Sequence, residues 1–326
     1  MRLKQGEIVA AELVCAVRGR RSHAAFSKRI GYRSNITRRW AAGECWPTAA
    51  DFLTACWRVK PSVAGLYESF DRRAPAWLDP SDPFSAASVA RFLSEQRGET
   101  PIGVIAERTG FNRYSVSRWL KGTAQPRLPE LLCLIEATSR RVLDFVACIA
   151  DPALLPSCQD EWSKLCAARS VAYDSPWSHA VLHALELEGY REVSAARSNG
   201  WLARCLGVSV KEVGESLEAL QRSGQIRRQR GKWRADRVIA VDTSADVVRS
   251  RALKAAWTKV AAERLAAGAP GSFGYSVFAI SRPDLQRLRG LQLQYVRAMQ
   301  SLIADSQRGE CVGLYCAQLL DLGAEA

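Results

Sequence analysis

The chain contains one segment twice. Residues 26–47 recur at 105–126 with an offset of 79 residues and no gap. Arg29 falls on Arg108, Gly31 on Gly110, Arg39 and Trp40 on Arg118 and Trp119, Gly43 on Gly122, Pro47 on Pro126 and Leu53 on Leu132. Two copies are too few for a solenoid, whose repeats bury their apolar faces against successive neighbours. The duplication therefore restricts the N-terminal half to paired modules of one design, expected at residues 1–75 and 76–150.

The second copy has the plainer local logic. Thr100 is expected to cap a helix that starts at Pro101, where a missing N–H costs nothing. Gly110 is expected to end that helix in the left-handed conformation. A short second helix then begins near Asn112, buries Val116 and Trp119, and stops at Gly122, and a third follows Pro126. Helix, tight turn, helix is the arrangement in which the second helix enters the DNA major groove. On these glycine, tryptophan and Gly-x-x-x-Pro positions, roughly residues 10–70 and 87–150 resemble the repressor-like (Xre-type) helix-turn-helix family. The resemblance implies that Asn112, Arg113, Tyr114, Ser117 and Arg118 face the groove in the second copy, and Arg33, Ser34, Asn35, Arg38 and Arg39 in the first. Arginine suits guanine because its planar fork meets O6 and N7 together. The first copy departs from the pattern at Ser27 and at Ile36-Thr37, so a one-residue slip of its apolar register is an open alternative. A helical bundle without a ligand is the plain alternative for both copies.

Charge points the same way. Lysine plus arginine number 46 against 33 acids, a formal +13, which suits a polyanionic partner or simply a basic surface. Residues 1–75 carry 14 basic and 6 acidic side chains, whereas residues 76–150 carry 9 and 8. The first copy is expected to be the stronger phosphate binder. No apolar run approaches the roughly 18–20 residues of a membrane helix, and the N-terminus has no signal-peptide core, so a cytoplasmic, nucleoid-associated location is expected. The ten cysteines form no CxxC pair; buried reduced thiols are expected. His179 and His183 stand one helical turn apart without a third ligand nearby in sequence. No metal or cofactor is expected.

Beyond an expected linker at residues 151–156, Ser175 to Leu185 reads as an amphipathic helix and Trp201 to Gly207 as a short helix with a glycine stop. Ser209 and Glu212 have capping-box spacing, with Val213, Leu217 and Leu220 on one face. Ile226 to Arg234 then reads as two strands around Gly231. This makes a winged helix at residues 151–240 whose wing places Arg227, Arg228, Arg230 and Lys232 along a phosphate backbone. Residues 190–234 hold 10 basic and 4 acidic side chains; protein docking is the alternative use of such a fold. After about residue 240, Ser244–Ala267 reads as a helix, Phe273–Ala279 as a strand by its period of two, and Leu285, Leu288, Leu291, Tyr295, Met299 and Leu302 as the stripe of a long helix. Val312–Cys316 reads as a second strand. This tail, residues 241–326, suits dimerisation or the sensing of a small-molecule or peptide effector. From about residue 160 onward, Ser175-x-Trp177-x-His179, Trp201-Leu-Ala, Leu217 to Leu220 and the 276–288 segment are similar to the uncharacterised DUF4423 family of bacterial regulators, which implies a DNA-binding role.

No Walker loop, HExxH, GxSxG or glycine-rich dinucleotide fingerprint is present, so an enzyme is not expected. The expectation is a mainly α chain with tandem helix-turn-helix domains, a winged helix and a small α/β C-terminal domain. Its expected role is that of a sequence-specific transcriptional regulator on double-stranded DNA, acting as a homodimer. The competing expectations are a protein-interaction adaptor, for example in a defence system, and a non-specific nucleoid binder.

Overall fold

The computed structural model describes residues 1–235, 241–306 and 309–323. These are mainly helical, with one two-stranded sheet among the described residues. The chain divides into two compact units, one of Met1–Ser163 with Gln294–Ala304, the other of Lys164–Leu293 with 305–326.

The duplication is built into the first unit element by element. Helices α1 (Leu3–Arg18), α2 (His23–Arg29), α3 (Ile36–Ala41), α4 (Ala49–Val59) and α5 (Leu66–Asp71) are followed by α6 (Ala86–Arg97), α7 (Ile102–Thr109), α8 (Arg113–Lys121), α9 (Leu128–Ser139) and α10 (Val142–Ile149). Each element of the second set lies near an offset of 79 from its counterpart. The two sets share one apolar core: Leu13, Phe26, Trp40 and Phe52 are continuous with Phe92, Ile105, Val116, Leu132 and Phe145.

The copies meet reciprocally. The Ala49 amide donates to the Pro126 carbonyl at 2.8 Å and the Leu128 amide to the Pro47 carbonyl at 3.0 Å, closing an antiparallel bridge between Thr48 and Arg127. These are equivalent residues of the two copies, so an approximate two-fold axis passes through the bridge. The packing follows it: α1 lies on α9 of the other copy, and α6 lies on α4. The expected linker is packed instead. Leu155 and Cys158 are buried in the shared core, and Ser157 donates its hydroxyl to Glu12 at 2.7 Å.

In the second unit, α11 (Gln159–Asp174, its first turn in the first unit), α12 (Pro176–Ala184), α13 (Glu188–Glu192), α14 (Ser198–Leu206) and α15 (Val210–Arg222) precede the hairpin β1 (Ile226–Gln229) and β2 (Lys232–Ala235). Leu202, Val213, Leu217, Leu220, Ile226 and Trp233 bury one face of this assembly together with Val181 and Leu182 of α12. Helix α16 (Val247–Ala266) follows, then α17 (Arg282–Asp305), of which Gln294–Ala304 belong to the first unit.

Several expectations need correction. Thr100 does not cap α7: Pro101 holds the N-cap position, and the buried Thr100 hydroxyl donates to Ser301 at 3.1 Å. The first copy's register does not slip, because Thr37 is buried in the place of Val116. The tail holds no strand among the described residues, so its α/β reading falls. Residues 273–279 and 312–316 lie in no regular structure, and Phe273, Tyr275 and Val277, the face the alternation would bury, are exposed. A strand needs a hydrogen-bonding edge, and none pairs with either segment. The thiols are not uniformly interior either: Cys56, Cys133 and Cys158 are buried, whereas Cys15, Cys166, Cys205 and Cys311 are exposed.

Candidate nucleic-acid interface

Two short helices with the same internal anchoring present the arginines singled out in the sequence. In α3, Trp40 is buried and Tyr32, from the preceding turn, meets it edge-on at 5.5 Å and 84°. In α8, Trp119 and Phe111 repeat the contact at 5.4 Å and 89°. Tyr32 and Phe111 are equivalent residues, and their joint role is legible only in the superposed copies. Each ring pair fixes its helix from beneath, and the opposite side of the helix is left to solvent. Gly110 and Gly122, both in the left-handed region at φ +76° and +74°, end α7 and α8 where a side chain would be strained.

On the free side of α3, Arg33, Ser34, Asn35, Arg38 and Arg39 are all exposed. Asn35 occupies the N-cap position without a side-chain cap bond. Arg39 lies 3.5 Å from Glu44 in a solvent-exposed pair, an interaction of small worth in water. On α8, Asn112, Arg113, Tyr114 and Arg118 are exposed and Ser117 is half-buried. The Asn112 side-chain oxygen Oδ1 accepts the Tyr114 backbone N–H at 2.8 Å, so this side chain serves the helix end. Tyr114 is 82% exposed, an unusual situation for a large ring. Neither α3 nor α8 contains an acidic residue.

The second unit differs. Its helix pair α14 and α15 is closed by the expected capping box, with Ser209 and Glu212 exchanging bonds at 3.1 Å in each direction. The exposed side of α15, however, carries Glu215 and Glu218 beside Lys211, with Lys211 3.8 Å from Glu215. Arg222 is exposed on the same helix, so this face is close to charge balance and offers no net attraction to a phosphate backbone. The basic groups are on the hairpin instead. Arg227, Arg228 and Arg230 are exposed, and the Arg228 guanidinium lies 4.8 Å from the centre of the Trp233 ring. Lys232 is committed elsewhere: its ammonium donates to the carbonyls of Tyr190 and Arg191 at 2.9 and 3.0 Å. Arg230 adopts φ +51° and Gly231 φ +78°, the two positive angles of a two-residue I′ hairpin turn.

The histidine pair lies on α12 with ring centres 5.0 Å apart. Burial, with the charge of His183 second, pushes His179 down to about 4. The neighbouring Trp177 packs edge-on against Trp257 at 5.1 Å, and the Ser175 carbonyl accepts the Ser178 hydroxyl at 2.6 Å. These residues have structural partners, and no group of three or more metal-ligating side chains occurs among the described residues. In the first unit, a cleft of about 550 Å³ is lined by residues including Cys15, Cys56, Val63 and Leu155. Glu12 and Lys60 on its wall are bonded to Ser157 and to the Ile149 carbonyl.

Residues 159–318 form a domain that matches the family described as Domain of unknown function (DUF4423). The match begins after the duplicated segment and leaves that segment outside it. No curated protein and no solved structure matches the chain. No helix among the described residues is long and apolar enough to cross a membrane.

Proposed function

We propose that the chain is a sequence-specific DNA-binding regulator of transcription that reads duplex DNA with α3 and α8, each the second helix of a helix-turn-helix. The observation that carries this reading is the pairing of anchoring with exposure. In both copies an edge-on aromatic pair anchors the helix, while its outer side offers arginine and asparagine, joined by Tyr114 in the second copy, and neither helix carries an acid. Rigid helices bearing planar hydrogen-bonding side chains are what base-edge recognition requires. The formal charge of +13 supports a polyanionic partner. The role is that of a binder and not of a catalyst, exercised on the nucleoid in the cytoplasm.

The winged-helix reading of residues 151–240 assigns Arg227, Arg228 and Arg230 to the phosphate backbone. The charge-balanced outer face of α15, with Lys211, Glu215, Glu218 and Arg222 exposed, favours a second use for this part, as a docking surface for a protein partner. Exposed Phe273, Tyr275 and Leu291 of the second unit supply apolar area for a homodimer. A small apolar effector would suit the 550 Å³ cleft, a volume within the range of ligand sites.

Competition binding tests the proposal. The full chain should prefer a fragment of its own promoter region over random DNA by about 10³-fold or more. Equal affinity for both would make it a non-specific nucleoid binder, and negligible affinity for either would make it a protein adaptor.

A further inference from the structure

Resting on the DNA-reading proposal, we infer that one copy of this chain recognises an asymmetric operator made of two unlike half-sites, read by α3 and α8 across the internal two-fold axis. The axis is set by the reciprocal bonds Ala49 to Pro126 and Leu128 to Pro47. It lies a few residues beyond the ends of α3 and α8, and a two-fold rotation leaves a helix at the same height along the axis. The two reading helices therefore flank the axis as the two halves of a symmetric dimer do, inside a single polypeptide with one continuous core.

What the axis relates is backbone and core, not the reading side chains. Trp40 corresponds to Trp119, Tyr32 to Phe111 and Arg39 to Arg118, and the two ring pairs repeat one contact. At the outer positions Arg33 corresponds to Asn112, Ser34 to Arg113, Asn35 to Tyr114 and Arg38 to Ser117. The differences change hydrogen-bonding chemistry. Asn35 has no cap bond to make and can offer its amide to the N6 and N7 edge of adenine. The amide of Asn112 is held by the Tyr114 N–H, so the second copy presents the Arg113 fork, suited to guanine, and the Tyr114 ring, suited to the thymine methyl. Two equally placed helices with unlike side chains select unlike base sequences at a fixed separation.

Selection of bound sequences from a random duplex library by the full chain, repeated with Asn35→Ala and Arg113→Ala, tests the inference. Both substitutions are at exposed positions, and melting curves would verify folding; Arg113→Lys provides a second, conservative variant that keeps charge and loses the bidentate fork. The expected consensus has two different half-motifs at constant spacing. Asn35→Ala should reduce preference at one position of the first half only, and Arg113→Ala or Arg113→Lys at one position of the second half only, each by about 5- to 150-fold. A symmetric palindrome whose two halves respond alike to each variant would overturn the inference while leaving sequence-specific DNA binding intact. A single half-motif sensitive to only one of the two helices would overturn it as well. No enriched motif at all would remove both the inference and the regulatory function beneath it.

Discussion

Ser27 and Thr37 stand where the second copy carries Ala106 and Val116, and both are buried. Their hydroxyls lie 2.9 Å apart, the Thr37 amide donates to the Ser27 oxygen at 3.2 Å, and the Thr37 hydroxyl donates to the His23 carbonyl at 2.9 Å. A buried polar group is tolerable when it is bonded and costs about 1–3 kcal/mol when its partner is removed. Ser27→Ala and Thr37→Val should therefore each destabilise the protein by about that amount. The double substitution should cost less than the sum, with a coupling of about 0.5–3 kcal/mol. Denaturant melts of the four proteins measure this; additivity within a few tenths of a kcal/mol would mean that the two hydroxyls do not support one another. Taken singly, each departure is compatible with a one-residue slip of the apolar register; taken together, the two hydroxyls satisfy one another in the unslipped register. The pair is legible only when positions ten residues apart are compared with their counterparts in the other copy.

At the scale of elements, the parts that were legible are those whose cause is local. The glycine stops at Gly110 and Gly122, the Ser209–Glu212 capping box and the turn at Gly231 each depend on a few adjacent residues, and all lie where the spacing predicts. The Thr48–Arg127 bridge joins residues 79 apart and leaves no local signature, and the tail strands failed because alternation says nothing about whether a partner edge exists. The hairpin turn carries a testable conflict. Arg230 holds a left-handed angle that costs an L-residue about 1–2 kcal/mol, where asparagine or glycine is the usual choice. Such strain persists at sites of function. Arg230→Gly should leave stability unchanged or raise it by up to about 1 kcal/mol while lowering affinity for DNA. Full affinity in a thermally stabilised variant would detach the wing from the phosphate backbone. Helix α17 carries a second test. Its Arg297, 11% exposed, donates to Asp71 at 2.8 Å and to Glu95 at 3.3 Å, and Gln96 donates to both oxygens of Asp71 at 3.0 Å. Removing one partner of a buried pair strands the other charge, so Arg297→Ala should destabilise the first unit by about 3–5 kcal/mol. An unaltered melt would mean that residues 294–304 contribute little to it.

At the scale of the whole molecule, the charge distribution separates the readings that individual contacts leave together. The excess is concentrated, with 14 bases against 6 acids in residues 1–75 and 10 against 4 in residues 190–234, while residues 76–150 are almost balanced. Every phosphate that a protein cation neutralises releases counterions, so the logarithm of affinity falls with the logarithm of salt at a slope of about −0.9 per contact on duplex DNA. The slope counts contacts without regard to how the two units are arranged, which makes it a property of the entire chain. Six to ten contacts predict a loss of about 10³–10⁵ in affinity between 50 and 200 mM salt. Within that total, Arg228→Ala together with Arg230→Ala should shallow the slope by about two if the hairpin lies on the backbone. Arg38→Ala should shallow it by about one if that side chain holds phosphate, and should leave it unchanged while altering base preference if it reads the groove. An unchanged slope in the hairpin variant, with specific binding retained, would assign DNA contact to the duplicated unit alone and leave the hairpin and the outer face of α15 as surfaces for a protein partner.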